Sequence, residues 1–418
     1  MPRGHARFTF MIIVVAFVFT VGQGFAQTLT PEEEAAKAKY LEEQKPKLRS
    51  RIAIYGWVES SVTGNPAGPS DHQNFGRLFD DRSNEAVMNQ AVVTAERTLE
   101  GKENLDWGFK VQLLFGTDAR YIHSLGMRYP DAGEGLYQGD VPEVYLSLHL
   151  PALSEGGIDV KLGKFVSIEG AETIDPRPNP FYSHTYIFNF GIPATNTGVL
   201  FTFHSTDSVD LYAGVTRGVN TSYEDNNDSL AFDGGIGLNA YDGKLTLLAS
   251  THIGPETSRD NGDLRYLNDA AITVKMNDKY TFIADLNYTI DSAAGAGAYG
   301  AALYLIYAVD SKLNVGMRGE LWRDDRGYYI AQYADPGDPI RGLGGDPTID
   351  PRTVGADRTT YGAFTVGVDI KLPAPKPLAG FRLRPELRVD HAFNDSHPFN
   401  DSTDNTMFTA ALDVIVTF

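Results

Sequence analysis

The sequence of 418 residues contains no cysteine. This absence excludes disulfide bonds, thiol nucleophiles and thiolate metal sites together. Long apolar runs are also scarce, since one run occurs, from Phe8 to Val21, and no second one follows it. That run is shorter than the roughly 20 residues that a transmembrane helix requires. We therefore predict that the chain has no transmembrane helix.

The beginning of the chain has the parts of a secretory signal peptide. Basic residues precede the apolar run at Arg3 and Arg7, and small residues follow it at Gly24 and Ala26. We predict export through the Sec pathway with cleavage after Ala26. The alternative is a membrane anchor that stays attached, which the shortness of the run disfavours.

Residues 27–50 are rich in alanine, lysine and glutamate. Thr30 followed by Pro31 is a favourable start for a helix, but the segment is too short for the heptads of a coiled coil. We interpret it as a charged periplasmic linker or short helix. The predicted domains are therefore a signal peptide (1–26), this linker (27–50) and a folded part (51–418).

Positive charge is in deficit, with 36 lysine and arginine residues against 54 aspartate and glutamate residues. Loss of Arg3 and Arg7 with the signal would leave 34 basic residues. Such a balance disfavours nucleic acid as a partner and weakly favours cations over anions as permeant ions. No motif for a cofactor or a metal ion is apparent, so we expect neither.

From residue 51 onward, apolar and polar side chains alternate. On segment 107–116 one face carries Trp107, Phe109, Val111, Leu113 and Phe115, and the other face is polar or glycine except for Leu114. Because successive side chains of a strand point to opposite faces, one face suits lipid and the other water. These segments are about ten to twelve residues long. Strands of soluble proteins are typically about five or six residues long, so the greater length fits tilted transmembrane strands.

About 16 such segments can be counted, and an even number is the rule for bacterial single-chain barrels. We predict an all-β fold, a transmembrane antiparallel up-and-down β-barrel. The predicted strands are 51–60, 87–97, 107–117, 141–150, 157–165, 197–205, 208–217, 230–241, 244–253, 265–276, 280–290, 298–309, 312–323, 358–371, 380–391 and 405–418.

The connections between these segments alternate between long and short. The long ones are 61–86, 118–140, 166–196, 254–264, 324–357 and 392–404, and tight turns such as Asp242-Gly243 and Asn277-Asp278 lie between them. Asp-Gly between alternating segments is a strong hairpin signal. Short periplasmic turns and long external loops are typical of outer-membrane barrels, and both chain ends would then lie on the periplasmic side.

The last strand alternates up to the terminal Phe418. A terminal strand that ends in phenylalanine resembles the signal that the barrel-assembly machinery reads in outer-membrane proteins. The alternative is an ordinary terminal strand. We expect the protein in the outer membrane, in contact with lipid and lipopolysaccharide.

A barrel of 16 strands is too wide for its own side chains to fill and leaves an aqueous channel. The segment 166–196 is the candidate for narrowing it, because prolines stiffen it and its many aromatic rings need a surface. We predict that it folds into the lumen, the alternative being an external lid. The expected constriction residues are Glu169, Glu172, Asp175, Arg177, Tyr182 and Tyr186.

The same region carries a family resemblance. Residues Gly163-Lys164-Phe165, Gly170, Glu172, Asn179-Pro180-Phe181-Tyr182-Ser183, Tyr186, Gly191, Pro193 and Thr195-Asn196-Thr197-Gly198 resemble the OmpL-like family called putative β-barrel porin-2. The resemblance implies a pore for passive diffusion of small hydrophilic solutes or ions. The family pattern would place histidine at Asn196, which weakens any role assigned to that position. Related wide barrels are often trimers, so a homotrimer is one option.

Charges on the polar faces suggest how such a pore would select. Acidic groups of the loop could oppose basic groups of the wall and create a transverse field. The alternative is pairing among wall neighbours, such as Arg384 or Arg388 with Glu386. The candidate wall charges are Lys110, Lys161, Arg318, Glu320, Arg382, Arg384 and Arg388.

The two alternatives to a channel are an enzyme and a plugged barrel. A hydrolase would need a nucleophile, a base and an orienting group, and Ser147, His149 and His204 on inward faces offer no evident third group. A plugged barrel with a structural or binding role, such as an adhesin or tether, would need loops that close the lumen. The many aspartates of 324–357 and 392–404 are interpreted as a solvated external rim rather than a calcium site, because no twelve-residue calcium loop is present.

Overall fold

The computed structural model describes residues 52–101, 103–127, 135–331 and 350–418. The predicted signal peptide and linker lie outside these residues. Sixteen strands form one closed antiparallel barrel. The strands are β1 Ala53–Gly64, β2 Ala86–Arg97, β3 Asp106–Gly116, β4 Gln138–Leu150, β5 Ile158–Val166, β6 Thr195–Thr206, β7 Val209–Thr216, β8 Ala231–Ala240, β9 Leu245–Pro255, β10 Leu264–Lys275, β11 Tyr280–Asp291, β12 Ala296–Ala308, β13 Leu313–Asp324, β14 Thr359–Leu372, β15 Gly380–Ala392 and β16 Thr406–Thr417.

Each strand pairs with the next one in sequence, and β1 pairs with β16 to close the ring. Closure matters because an open sheet edge would leave backbone N–H and C=O groups without partners in lipid. The predicted fold class and strand number are confirmed. Among the described residues, no helix is long and apolar enough to cross a membrane.

The pairing register sorts side chains by polarity as the alternation predicted. Across β13 and β14, Met317 lies opposite Val366 on the outer face, and Arg318 lies opposite Thr365 on the inner face. The outward Leu321 is 55% exposed whereas Arg318 is 1% exposed. This inversion of the arrangement in soluble proteins is what a lipid-facing wall requires, because apolar side chains outside meet lipid rather than water.

Two local departures from the predicted strands have physical causes. Leu114, the exception in the alternation of β3, lies beside a register shift between Gln112 and Leu114 and is buried. It belongs to an apolar cluster with Leu78 and Phe79. Strand β1 continues to Gly64, four residues beyond the prediction, because residues 61–64 pair with residues 410–413 in the middle of β16.

Long and short connections alternate as predicted, with one exception on the long side. The connection between β11 and β12 has four residues, 292–295. The side chain of Asp291 accepts a hydrogen bond from the backbone N–H of Ala294 at 2.8 Å, and Gly295 has a φ of 61°. Such a capped turn reverses the chain without a longer loop.

The chain end seals the barrel at β1. Phe418 and Gly56 exchange two backbone hydrogen bonds of 3.0 Å each. The Phe418 ring lies over Gly56, where an added Cβ would come within 2.7 Å of the ring atom Cζ and 2.1 Å of the Val92 carbonyl oxygen. Glycine at position 56 is therefore what allows the terminal ring to lie against the outer face of β1.

We predict that Gly56→Ala lowers the free energy of unfolding by about 1–3 kcal/mol, because the methyl group overpacks the seam. Urea unfolding of the refolded protein in micelles measures this. The matched control is Gly139→Ala in β4, where the nearest atom would lie 3.9 Å away. Equal stability of the two variants would contradict this role for the seam.

Candidate functional site

The connection between β5 and β6, residues 167–194, lies inside the barrel. Phe181, Tyr182 and Tyr186 in this loop are at most 3% exposed. Its polar contacts reach inward side chains on β1, β2, β10, β11, β12, β13 and β15. A chain segment placed there has no strand beside it, so its backbone N–H and C=O groups need other partners.

Arginines of the wall supply donors for the loop carbonyls. The Nη1 of Arg384 donates to the carbonyl oxygens of Pro176, Asn179 and Phe181 at 2.9, 2.9 and 3.0 Å. Its remaining nitrogens bind Asp413, with Nη2 at 2.6 Å from Oδ2. One planar guanidinium thus holds three turns of the loop while its own charge is neutralised within the wall.

Three further wall arginines act in the same way. Arg318 donates from Nη1 to the carbonyl oxygen of Ser183 at 2.7 Å, and Arg388 donates to that of His184 at 2.6 Å. Arg382 donates to the carbonyl oxygen of Arg177. Arg318 of β13 and the three arginines of β15 are therefore engaged with the loop backbone.

Carboxylates of the wall accept the loop N–H groups. Glu386 accepts from the N–H of Tyr182 at 2.9 Å and also from that of Ser183. Glu320 accepts from the N–H of Tyr186 at 2.8 Å. The remaining carboxylate acceptors are Asp285 for Ala171 and Asp269 for Gly170, at 3.2 and 3.0 Å. We call these arginines and carboxylates together the wall clamp.

Glu172 is the loop acid that binds a wall arginine directly. Its Oε1 lies 2.8 Å from Nη1 of Arg318 and accepts a hydrogen bond from the Tyr304 hydroxyl at 2.9 Å. Burial acts to raise the pKa of Glu172, but Arg318, His184 and the hydrogen bonds outweigh it and hold the pKa below its usual value. Glu172 is thus a buried anion that fixes the loop.

Aromatic rings of the loop fill spaces that the wall leaves open. Phe181 lies over Gly316 and Gly367, where added Cβ atoms would come within 2.9 and 3.1 Å of its ring. The Tyr186 ring stacks on Tyr361 with centroids 5.2 Å apart. The Tyr182 hydroxyl meets the Ser61 hydroxyl at 2.6 Å. Gly316 and Gly367 therefore leave the space in which the Phe181 ring packs.

The predicted wall charges divide into two groups. Arg318, Glu320, Arg384 and Arg388 lie on the inner wall but are buried under the loop. They do not pair with Glu386 as one interpretation of the sequence had it, because Glu386 is occupied by loop N–H groups. Arg384 instead pairs with Asp413, and Arg388 with Asp390 and Glu320.

The second group keeps partial access to the lumen. Lys110, Lys161 and Arg382 are all half-buried. Lys110 pairs with Glu143, whereas the Nζ of Lys161 lies 5.2 Å from the centre of the Tyr145 ring. These residues are the predicted wall charges that a solute in the lumen could reach.

The six loop residues predicted to form the constriction fall into a buried group and an exposed pair. Glu169, Glu172, Tyr182 and Tyr186 are buried. Asp175 and Arg177 have side chains 31% exposed and form an ion pair with 2.6 Å between Oδ2 and Nη2. Arg177 also lies over Trp57, with its Cζ 4.1 Å from the ring centre. This pair is the charged part of the loop that faces open space.

Three glycines lie on the inner faces of β5, β6 and β8. Gly163 lies opposite Gly198 across β5 and β6, and Gly235 lies opposite Tyr212 across β7 and β8. These glycines occupy the inner face, because the register alternates with the inward Lys161 on β5.

The candidate hydrolase residues are engaged with aspartates. His149 Nδ1 lies 2.7 Å from Asp159 Oδ1, an orienting group that sequence analysis did not find. Its Nε2 would lie 2.9 Å from a Cβ on Gly157, which precedes β5, whereas Ser147 lies opposite Lys161 further along β5. His204 lies between Asp159 and Asp210. The ring of His149 thus points away from the candidate nucleophile.

Asn196, where the family pattern would have histidine, joins a polar network of the wall. Its Nδ2 donates to Asp233 Oδ1 at 3.2 Å. Asp233 also lies 2.8 Å from His252 Nδ1, and His252 Nε2 lies 2.7 Å from Glu256. A histidine is thus present in this network, on β9 instead of β6.

Sequence analysis missed the loop between β1 and β2. Arg77 in this loop forms ion pairs with Asp80 and with the wall residue Asp390. Phe79 packs on the loop residues His184 and Phe188, with ring centroids 4.9 and 5.4 Å apart. The sequence feature that could have indicated this contact is Arg77 next to Leu78 and Phe79, in the segment interpreted as an external loop.

Several of the aspartates of 324–357 and 392–404 accept backbone hydrogen bonds. Asp324 caps the turn that follows β13, because it accepts from the N–H groups of Tyr328 and Tyr329. Asp401 joins two loops, because it accepts from the N–H of Ser70. Asp335, Asp338 and Asp346 lie outside the described residues. Within 52–101, 103–127, 135–331 and 350–418, no group of three or more histidine or acidic side chains is arranged to hold a metal ion.

We predict that Arg384→Gln lowers the free energy of unfolding by about 3–5 kcal/mol, because it leaves Asp413 and Glu59 buried without their cation. Urea unfolding in micelles measures this. The control is Arg352→Gln, whose side chain is 68% exposed and 3.8 Å from Asp263, and which should change stability by less than about 1 kcal/mol. Similar losses in both variants would argue against the wall clamp.

Comparisons with known proteins agree with this architecture. Residues 51–418 match the profile of a family described as "Putative beta-barrel porin-2, OmpL-like", and no curated protein matches the chain. The fold is similar to that of the outer membrane channel DcaP of Acinetobacter baumannii, with 12% identity, 88% of this chain and 97% of that chain covered, and a TM-score of 0.54.

Other solved barrels are similar to the same degree. Pseudomonas putida OprB has 11% identity, 91% and 97% coverage and a TM-score of 0.53. Salmonella typhi OmpF, solved with daunomycin, has 12% identity, 88% and 97% coverage and a TM-score of 0.53. At these identities the likeness concerns the fold. The family match spans the whole barrel and confirms the predicted resemblance, so the chain belongs to the putative beta-barrel porin-2, OmpL-like family of outer-membrane proteins.

Proposed function

We propose that the protein is a passive channel for small hydrophilic solutes or ions and that the loop 167–194 forms its constriction. The observation that carries this is the placement of a whole loop against one side of the inner wall. The other side keeps half-buried polar groups, among them Lys110, Tyr145 and Lys161. A solute would pass between these groups and the exposed edge of the loop at Thr173, Asp175 and Arg177.

Partners follow from the same proposal. The barrel would be exported by the Sec pathway with cleavage after Ala26 and assembled through its last strand, which ends in Phe418. Its external rim would meet lipopolysaccharide. A homotrimer is proposed by analogy with other wide barrels, and the mass of the complex in mild detergent would decide it.

An enzymatic role is not proposed, because His149 is turned away from Ser147.

The test of the channel is single-channel conductance of the refolded chain in a planar bilayer under a salt gradient. Discrete and stable open steps are expected, because a lumen of this width holds water. Absence of conductance from a folded barrel, with the fold verified by its resistance to unfolding in detergent, would reject the channel. A plugged barrel with a structural or binding role would then be favoured.

We predict that Lys161→Gln shifts the reversal potential toward greater cation preference, because it removes a positive charge that faces the lumen. The matched control is Lys279→Gln. Lys279 lies in the short turn between β10 and β11, with its Nζ 5.9 Å from the outward-facing Tyr307 ring. It carries the same charge outside the lumen, so its removal should leave the reversal potential unchanged. Equal shifts in both variants would show that Lys161 does not face the ion path.

A further inference from the structure

A recess of about 340 Å³ lies beside the loop on the short-turn side. The loop closes it with Arg177, Pro178 and Pro180, and the wall strands β11 to β15 form its other sides. Its volume falls in the range of small-molecule sites, about 300–1,000 Å³. In the proposed orientation the recess opens below the constriction, toward the periplasm.

The charges in the recess do not balance. Asp369 is the acid that lines it, and both its oxygens are taken by Arg382, with Nε 2.5 Å from Oδ1 and Nη2 2.9 Å from Oδ2. Arg177 is neutralised by Asp175, which lies next to the recess. Each of these arginines therefore already has a carboxylate partner.

Lys371 is the cation that remains. It lines the recess, is exposed and lies directly opposite Arg382 across β14 and β15. Asp369 lies on the same face of β14 and attracts Lys371, but Arg382 already binds both of its oxygens. Across the part of the chain that the structure describes, no acidic group forms an ion pair with it. An anion placed at Lys371 would therefore find an exposed ammonium group.

The rest of the recess is apolar. Ile283 and Ile306 project from the inner faces of β11 and β12, where the neighbouring inward positions are mostly polar, and they are only partly buried. Pro178 and Pro180 of the loop line the same recess. Apolar side chains that remain partly exposed in a water-filled lumen gain free energy when a ligand covers them.

We propose that this recess binds a small organic anion, a carboxylate with a compact apolar body. The carboxylate lies at Lys371, and the body packs between the two isoleucines and the two prolines. This inference rests on the proposed channel and deepens it, because it names a class of solute that the lumen holds. A neutral solute lacks the charge for Lys371, and an inorganic anion lacks the apolar body.

Isothermal titration of the folded full-length chain in micelles tests the proposal, with benzoate as the probe. Benzamide has the same body without the charge, and acetate has the charge without the body. We expect benzoate to bind at least about twofold more tightly than benzamide and about tenfold more tightly than acetate. Lys371→Gln should weaken benzoate binding about two- to fivefold, as loss of an exposed ion pair does. Lys279→Gln, with its charge outside the lumen, should leave binding unchanged.

Ile306→Thr is a second variant that keeps the branched shape and removes apolar surface. It should weaken benzoate binding and leave acetate binding as it was. Benzoate binding that equals benzamide binding, or that Lys371→Gln leaves unaltered, would overturn the proposal. Conductance in a planar bilayer separates the two hypotheses. A conducting channel without benzoate binding rejects the recess alone, and benzoate binding without conductance rejects the channel alone.

Discussion

Inside a barrel lumen, a loop has no strand beside it to satisfy its backbone. This constraint determines the chemistry of much of the inner wall. Arg384, Arg318 and Arg388 donate to loop carbonyl oxygens, and Glu386 and Glu320 accept from loop N–H groups. An unpaired buried backbone group costs about as much as a lost hydrogen bond, so each of these contacts removes a penalty. Arginine suits the task because its planar group donates in several directions at once.

The same contacts determine which charged side chains of the wall can act on a permeating solute. A guanidinium that is buried and already bound to a carboxylate contributes little field to water on the far side of the loop. The charges that remain in reach of a solute are fewer, and they include Lys110, Lys161, Lys371 and the Asp175–Arg177 pair. Selectivity is therefore proposed to depend on a few lysines and one loop ion pair, and the arginine-rich strand β15 serves to hold the loop.

The pattern of small and aromatic residues follows from the same packing. Gly316 and Gly367 leave space where Phe181 lies against the wall, and Gly56 leaves space where Phe418 closes the outer face. In the first case the ring comes from a distant loop, and in the second from the chain end. In both places an aromatic ring packs against a glycine. The glycine has no side chain, so the ring can lie close to the backbone of the wall.

The sequence by itself determined the sixteen strands, because a wall between lipid and water imposes a period of two on every transmembrane segment. It also determined the alternation of turns and loops and the family motif. Only the tertiary structure decided that the arginines of β15 bind loop carbonyls, that Asp159 meets His149, and that Lys371 lines a recess beside the loop. Periodicity tells which face a side chain occupies. It does not tell which distant segment covers that face, because this depends on the path of a loop that follows no period.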